Sequence, residues 1–522
     1  MKTLLTKMKS AIIAAMIAMP LGSAFAQTRY LDEVFSSVSV TSDVVYANNM
    51  TVITGTPVNS NLLMDIYEPA GDSCTSRPVI IYMHAGTFLP IIYNRGCIGT
   101  KTDSSVVEMC TQFAKRGYVA VSMDYRLGWA ADAIGVNPDL VTGTIFQAAY
   151  RTIQDVKACV RYFRANAATY NVDSGKIALG GVGVSGVVVM NYIALKDTMQ
   201  LWLTKLISST TIGPFTAGMP YIDIHTLGDF DGYGGIPQLN NPNNSPGHTS
   251  DVQMVFSIYG NLADSTWLYP SMPPVVALHP MTPPTGAGPY HWGTIAAGGF
   301  PVLSDVSGSH QFICKLDAMG INDVFINPGF PNLNDSYSLR ANSVNDGCEA
   351  LFPFATPVVE EDMWDWYDST TACLTAQAIG LTCQDGLNAY YGSVANNPNM
   401  SKTQALAYID TIQGYLAPRL FRALNPGFSN CSLVGISELN FLESNLSVYP
   451  NPATVHSTIK ISSNDGPIRR FSLYTTLGES VLSRDKINMQ SFEIETKSLA
   501  AGIYQIKIGF DRGEVVKKIT LQ

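Results

Sequence analysis

The chain contains few charged residues and few histidines. Asp, Glu, Lys and Arg make up 14% of its 522 residues, and seven residues are histidine. The net charge is −9, and the sequence lacks the basic runs with which proteins bind nucleic acid. After the N-terminal region, no segment has the roughly twenty consecutive apolar residues of a transmembrane helix. We therefore expect neither a nucleic-acid partner nor a transmembrane segment.

Metal ligands at a recognisable spacing are also missing. The nine cysteines and seven histidines form no cluster with the spacing of zinc ligands, so we expect no metal and no cofactor. In an exported chain some of these cysteines would form disulfides. Cys373 and Cys383 would close a short loop, and we predict that they pair. Cys159 lies on an apolar helical face and is predicted to be a buried free thiol.

The first residues have the pattern of a cleaved export signal. Three lysines within residues 2–9 precede the apolar run 11–19, and Ala24-Phe25-Ala26 provides small residues before Gln27. This pattern predicts a secretory signal peptide over residues 1–26.

Strands alternate with helices over the next three hundred residues or so, which predicts an α/β fold with a mainly parallel sheet and helices on both faces. The predicted strands are 62–67, 79–83, 119–123, 176–179, 252–259, 275–278 and, as the last of the sheet, Asp323–Ile326; the predicted helices are 106–116, 150–168, 187–195 and 310–319. We assign residues 27–370 to this domain, with an insertion at about 200–250. A helical segment follows at 371–431, and a linker at 432–444.

The composition changes after Cys431, and short alternating strands over residues 445–522 predict a small all-β sandwich. This segment begins with Tyr449-Pro450-Asn451-Pro452, continues with the stretch Leu499–Tyr504 and ends with Lys517-Lys518-Ile519. With these motifs it resembles the C-terminal sorting domain of the type IX secretion system. The resemblance implies a Bacteroidota source, the type IX machinery as a partner, and a product that is either released or attached to the cell surface.

Residues 60–335 resemble the secreted carboxylesterase and feruloyl-esterase-like branch of the α/β-hydrolases. The resemblance rests on Asp124-Tyr125-Arg126, on Ile153-Gln154-Asp155-Val156-Lys157 and on the stretch Asp173–Gly181. It implies an α/β-hydrolase fold, a Ser-Asp-His triad, and an oxyanion loop at His84-Ala85-Gly86-Thr87, whose backbone N–H groups would face the reacting oxygen.

The positions that correspond to the triad are altered in this chain. Where the family has Gly-x-Ser-x-Gly, the sequence reads Gly181-Val182-Gly183-Val184-Ser185, which places Gly183 at the nucleophile position. The acid of the family motif His-Gly-x-x-Asp falls on Pro283. The loop after the predicted last strand, at Asn332, contains no histidine. We therefore expect an esterase-derived protein with a lost or non-standard triad, whose cleft still binds a small-molecule or polysaccharide ester.

An alternative is that the chain remains an active ester hydrolase. Ser185 would then be the nucleophile in a turn shifted by two residues, with His310 or His291 as the base and Asp305 as the acid. This alternative requires a hydrogen bond between the Ser185 hydroxyl and a histidine ring that a carboxylate holds. His310 is expected to begin a helix, which favours a structural role for it.

Overall fold

The structure, a computed structural model, describes residues 28–53, 55–283, 288–327, 331–356, 360–426, 445–464, 466–475, 479–510 and 513–522. The chain divides into two units, one of residues 29–431 and one that contains residues 432–522. The predicted signal peptide and the predicted linker lie outside the described residues. Within the described ranges, every helix is too short or too polar to cross a lipid bilayer.

An eight-stranded sheet forms the centre of the larger unit. The strands of this unit are β1 (Val38–Thr51), β2 (Val58–Pro69), β3 (Arg77–Met83), β4 (Val119–Met123), β5 (Val172–Val182), β6 (Met254–Ile258), β7 (Val275–Pro280), β8 (Trp292–Ala297), β9 (Phe300–Ser307) and β10 (Leu351–Phe354). The sheet order is β1-β2-β4-β3-β5-β6-β7-β10, and β8 and β9 form a separate hairpin. Within this sheet β1 pairs antiparallel with β2, and β2 pairs antiparallel with β4, whereas β4, β3, β5, β6, β7 and β10 pair in parallel. The predicted α/β-hydrolase sheet is confirmed.

Helices cover both faces of this sheet. They are α1 (Ser104–Lys115), α2 (Pro138–Ala165), α3 (Val184–Ala194), α4 (Ile224–Leu227), α5 (Ser309–Ala318), α6 (Asp323–Ile326), α7 (Ser336–Asn342), α8 (Ser369–Ala378), α9 (Cys383–Asn396) and α10 (Lys402–Leu424). Because successive strand residues point to opposite faces, Val79 and Ile81 pack in one core with α2, α3 and α5. Ile80 and Tyr82 pack in the other core, with α1 and α10. The helices after residue 371 thus contribute to the same unit as the sheet.

The predicted last strand is wrong. Asp323–Ile326 forms the short helix α6, and the last strand of the sheet is β10, which pairs in parallel with β7. Both segments are short apolar runs, and periodicity alone does not separate a buried strand from a helical turn of that length. Every residue of Leu351–Phe354 is buried, as expected of a strand covered on both faces.

The strands described in the C-terminal unit pair antiparallel with one another. They are β11 (Leu446–Tyr449), β12 (Thr458–Ser463), β13 (Ile468–Thr475), β14 (Ser480–Met489), β15 (Ser491–Glu495), β16 (Gly502–Phe510) and β17 (Gly513–Leu521). Sheets β11-β12-β15 and β14-β13-β16-β17 share one apolar core that includes Ile461, Phe471 and Ile506. The predicted all-β sandwich is confirmed.

Two disulfides are present among the described residues, Cys314–Cys348 and Cys373–Cys383. The second confirms the predicted pair. Cys159 is a free and buried thiol, as predicted.

Candidate active site

The turn after β5 places Gly183 immediately before helix α3. Gly183 has φ 59° and ψ −123°, a conformation that costs free energy for a residue with a side chain. In α/β-hydrolases this sharp strand-to-helix turn carries the nucleophile. A Cβ atom at Gly183 would lie 3.2 Å from Cβ of Ala85. A side chain at position 183 would therefore point at the predicted oxyanion loop.

Ser185 lies inside the first turn of α3 and is fully buried. Its Oγ donates a hydrogen bond to the main-chain oxygen of His84 at 2.5 Å and lies 3.2 Å from the Tyr125 hydroxyl. Buried hydroxyl groups need such partners, because water is not available to them. The hydroxyl of Ser185 thus connects α3 to the predicted oxyanion loop. Its bond to His84 is to the main-chain oxygen and not to the imidazole ring.

The predicted oxyanion loop, residues 84–87, is held in place by Tyr125, and we call it the oxyanion loop below. The Tyr125 hydroxyl donates to the carbonyl oxygens of His84 at 3.0 Å and Ala85 at 3.1 Å, and its ring stacks on the imidazole of His84 at 4.4 Å. Burial raises the pKa of Tyr125, so the phenol stays protonated and remains a donor. Burial lowers the pKa of His84, whose Nε2 lies 3.5 Å from the Asp124 carboxylate.

Close backbone contact fixes the same loop at Gly86. This residue has φ 104°, and a Cβ atom there would lie only 2.4 Å from Cα of Gly99. No side chain fits at that distance, so glycine is required at position 86. The predicted loop therefore has a rigid backbone beside Gly183, while Thr87 is exposed.

Arg126 and Asp155 connect the strand β4 end to helix α2. The Arg126 Nε atom lies 2.8 Å from Asp155 Oδ1, and the two side chains are 0% and 1% exposed. The Asp155 carboxylate also accepts the backbone N–H of Arg126 at 2.9 Å. These contacts occupy the side chains of Arg126 and Asp155. The segment Asp124-Tyr125-Arg126 therefore supports the loops and does not line the cleft.

At the end of β7, His279 is fully buried and hydrogen-bonded locally. Its Nδ1 lies 2.7 Å from Ser309 Oγ and its Nε2 lies 3.1 Å from the Gly288 carbonyl oxygen. Burial lowers the pKa of His279 to about 3, so the imidazole is neutral at ordinary pH. Pro283, at the position expected for the acid, follows three residues after the strand.

The histidine position of the family must be reassigned. The prediction for Asn332 depended on Asp323–Ile326 as the last strand, whereas the sheet ends with β10. The corresponding loop therefore follows Phe354 and begins Ala355-Thr356. The sequence contains no histidine between His310 and His456.

His291 and His310 lie together at a separate place on the surface. Their ring centroids are 4.6 Å apart, and His310 Nε2 lies 2.9 Å from Asp346 Oδ2. Burial and the neighbouring His310 lower the pKa of His291. Asp305 lies on β9 with its side chain 79% exposed, 3.9 Å from Lys205 Nζ. The structure thus does not bring these three candidates to Ser185, whose hydrogen bonds go to other groups.

A cavity of about 540 Å³ lies next to the turn at Gly183, because Thr87 and Val184 line it although Gly183 itself does not. Its lining is mainly apolar and comes from the oxyanion loop, α2, α3, the insertion and the β8–β9 hairpin; it includes Phe88, Trp129, Phe146, Ile153, Val184, Val188, Leu201, Leu206, Ile222, Trp267, Ile295 and Leu303. Val184, the residue after Gly183, is one wall of it.

The lining also contains polar and charged residues, namely Thr87, Tyr93, Asn94, Arg95, Asp132, Tyr150 and Asn191. Arg95 and Asp132 are exposed, whereas several of the others already have protein partners. The Asn191 side chain donates to the carbonyl oxygens of Val187 and Asn261 and accepts the N–H of Ala263. The Trp129 indole donates to the Thr87 carbonyl at 2.7 Å. A ligand in this cavity would therefore be held mainly by apolar contact.

Comparison with protein-family models identifies both parts of the chain. Residues 64–284, which contain the sheet from β2 to β7 and the turn at Gly183, match the BD-FAE model. This part of the chain is a BD-FAE esterase-like domain. Residues 447–522 match the secretion system C-terminal sorting domain. The sorting domain directs the protein through the type IX machinery to the outer surface or the extracellular space.

Among solved structures, several forms of an esterase from Thermogutta terrifontis are similar to this chain. Esterase 2 phosphorylated by paraoxon is 17% identical, with 48% of this chain and 73% of that chain covered and a TM-score of 0.29. The propionate-bound form is 13% identical, with 70% and 96% covered and a TM-score of 0.31. Likeness at this level carries no information on activity. No curated protein matches the sequence.

Proposed function

We propose that the BD-FAE domain is a secreted binding module that no longer hydrolyses esters through a serine. The proposal depends mainly on Gly183. It occupies the strand-to-helix turn beside the oxyanion loop and the cavity, and it has no side chain that can attack a carbonyl carbon. Serine there would need to hold φ near 59°, which glycine does without strain.

The arrangement of Ser185 supports the same proposal. An activated serine needs a base within hydrogen-bond reach of its oxygen, and the base needs a third group to orient it. The Ser185 oxygen instead donates to a carbonyl oxygen and is fully buried. It is not part of the cavity lining.

The ligand that fits the cavity best is a small apolar molecule with aromatic or aliphatic groups. Rings of Phe88, Trp129, Phe146 and Trp267 line a volume of about 540 Å³, within the range of small-molecule sites. A polysaccharide chain would need many hydrogen bonds, whereas the side chains of Asn94, Tyr150 and Asn191 already bond to protein groups, and the charged residues of the lining, Arg95 and Asp132, are exposed. An apolar ester or its acid is therefore a better candidate than a sugar chain.

A fluorescence titration of the purified chain tests this function. Trp129 and Trp267 line the cavity, so a bound apolar ester such as p-nitrophenyl butyrate should change tryptophan emission saturably. Ala149→Trp, from a half-buried cavity residue of α2, should fill the site and weaken binding about tenfold or more, a loss of at least about 1.4 kcal/mol. Ala378→Trp, at an exposed helical alanine, is the matched control and should bind as the parent does.

Hydrolysis of the same ester separates the two hypotheses. We expect saturable binding and a release of p-nitrophenol no faster than in Ser185→Ala. Turnover that Ser185→Ala abolishes, in a variant that still folds, would show an active hydrolase and refute the proposal. Absence of saturable binding with a full set of apolar esters and acids would refute the binding function.

A further inference from the structure

Away from the cleft, three metal-ligating side chains meet at the Cys314–Cys348 disulfide. We propose that, when this disulfide is reduced, His310, Cys314 and Cys348 bind a zinc-class metal ion with Asp346 as the fourth ligand. The site is independent of the proposed ligand-binding function, and it is a metal site that spacing along the sequence does not reveal.

The positions of the ligand atoms carry the proposal. One ligand atom from each of His310, Cys314 and Cys348 lies within 4.8 Å of the other two. The His310 Nε2 atom is 3.9 Å from Cys314 Sγ and 2.9 Å from Asp346 Oδ2. Zinc holds sulfur at about 2.3 Å and nitrogen at about 2.0–2.1 Å. The separations of His310 Nε2 from Cys314 Sγ and from Asp346 Oδ2 therefore suit ligands of one tetrahedral ion once the sulfurs separate.

The local fold explains why these four residues meet. His310 and Cys314 are four residues apart on α5 and share one face of that helix. Asp346 and Cys348 belong to the turn that leads into β10, and Asp346 has φ 55°. The disulfide holds this turn against α5. Asp346 is 75% exposed, so an ion can reach the site from solvent.

Charge and protonation favour a cation in the reduced form. A phosphine reductant and one water convert the disulfide to two thiols and the phosphine oxide. Binding of the metal then releases two protons and leaves two thiolates. Two thiolates and one carboxylate give the site three negative charges next to the imidazole of His310, a donor set typical of zinc. The disulfide and the metal form exclude each other, because each sulfur bonds either to the other sulfur or to the ion.

Metal titration of the full chain tests the proposal. The chain is reduced with a phosphine and titrated with Zn²⁺ against a chromophoric chelator, and then with Co²⁺, whose thiolate charge-transfer absorption reports sulfur ligation. We expect one tight site in the reduced chain and none in the oxidised chain. Asp346→Asn should weaken it about tenfold, and His310→Ala about a hundredfold. The double variant Cys373→Ser and Cys383→Ser also lacks one disulfide and should keep the site.

Two outcomes would overturn the proposal. One is zinc affinity in the reduced chain no greater than in the oxidised chain. The other is a charge-transfer band that persists in the double variant Cys314→Ser and Cys348→Ser. If that variant does not fold, alkylation of the reduced parent chain decides: Zn²⁺ must slow alkylation of Cys314 and Cys348, and equal rates with and without the ion refute the site.

Discussion

Substitution of Gly183 tests the geometry on which the proposed function depends. With φ 59° and ψ −123°, any other residue at this position carries a backbone strain of about 1–3 kcal/mol. Its Cβ would in addition meet Ala85 Cβ at 3.2 Å, closer than ordinary van der Waals contact. We therefore expect Gly183→Ala to lower the free energy of unfolding by about 1–3 kcal/mol. Gly183→Ser should lower the free energy of unfolding by a similar amount, because the Cβ atom, which alanine and serine share, causes the strain.

Urea denaturation followed by tryptophan emission measures this loss. Gly175→Ala, at an exposed glycine of the same strand without a positive φ, is the matched control and should change stability little. The double variant Ala85→Gly with Gly183→Ala separates the two causes, since it removes the contact and keeps the strained backbone. A Gly183→Ala variant as stable as the parent would refute the assigned turn conformation.

The Gly183→Ser variant also tests the chemistry. A hydroxyl restored at the turn is not enough for hydrolysis if no base reaches it, so we expect p-nitrophenyl butyrate turnover to stay at the level of Gly183→Ala. Turnover clearly above that level would mean that a base and an orienting acid are still in place. In that case the loss of hydrolysis would be due to one residue, and our reasoning on the rest of the site would be wrong.

Three further predictions concern buried ionisable side chains, and each is measured by chemical denaturation. Asp155→Ala leaves the Arg126 guanidinium buried and unpaired, and should cost about 3–5 kcal/mol; a loss under about 1 kcal/mol would contradict this. Burial raises the pKa of Asp365 to about 6, above its unfolded value of about 3.9, so its contribution should be lost as pH rises from 4 to 6, by about 3 kcal/mol. Asp365→Asn should remove that dependence. His279 has the opposite sign: its folded pKa of about 3 lies below its unfolded value of about 6.5, so its contribution to stability should fall by about 5 kcal/mol as pH drops from about 6.5 towards 3. His279→Asn should abolish this acid sensitivity.

Much of the central sheet could be predicted from the sequence because its strands are buried on both faces. Such strands are continuous apolar runs between turn residues, as in 79–83 and 119–123, and they were located within a few residues. The glycine turn at Gly183 could be predicted because it directly follows the buried strand β5. Strand β1 and the β8–β9 hairpin were missed. Their residues alternate in exposure or are largely exposed, which gives no continuous apolar run.

The cavity and the pairing of Cys314 with Cys348 could not be predicted, because both depend on contacts between residues that are far apart in the sequence. The cavity combines residues from the loop at Phe88, helix α2, the insertion and the hairpin, and no local pattern connects them. Cys314 and Cys348 are separated by 34 residues and meet because β10, and not Asp323–Ile326, takes the last place in the sheet. Because Asp323–Ile326 was predicted as the last strand, the loop that carries the histidine in the family was predicted at Asn332 instead of after β10.

Histidine is scarce in this chain, and each of its seven imidazoles lies outside the cavity lining. All seven histidines lie among the described residues, and none lines the cavity beside Gly183. The His84 ring stacks on Tyr125, and His279 is hydrogen-bonded to Ser309 and Gly288. His291 and His310 form the surface pair, His225 and His248 are exposed in the insertion, and His456 belongs to the sorting domain. This inventory does not depend on how the motifs are aligned. If Ser185 is compared with the family's serine instead of Gly183, or β10 instead of Asp323–Ile326 with its last strand, the cavity still has no imidazole in its lining. The positions of the histidines therefore support, in addition to Gly183, the proposal that the cleft does not hydrolyse esters through a serine.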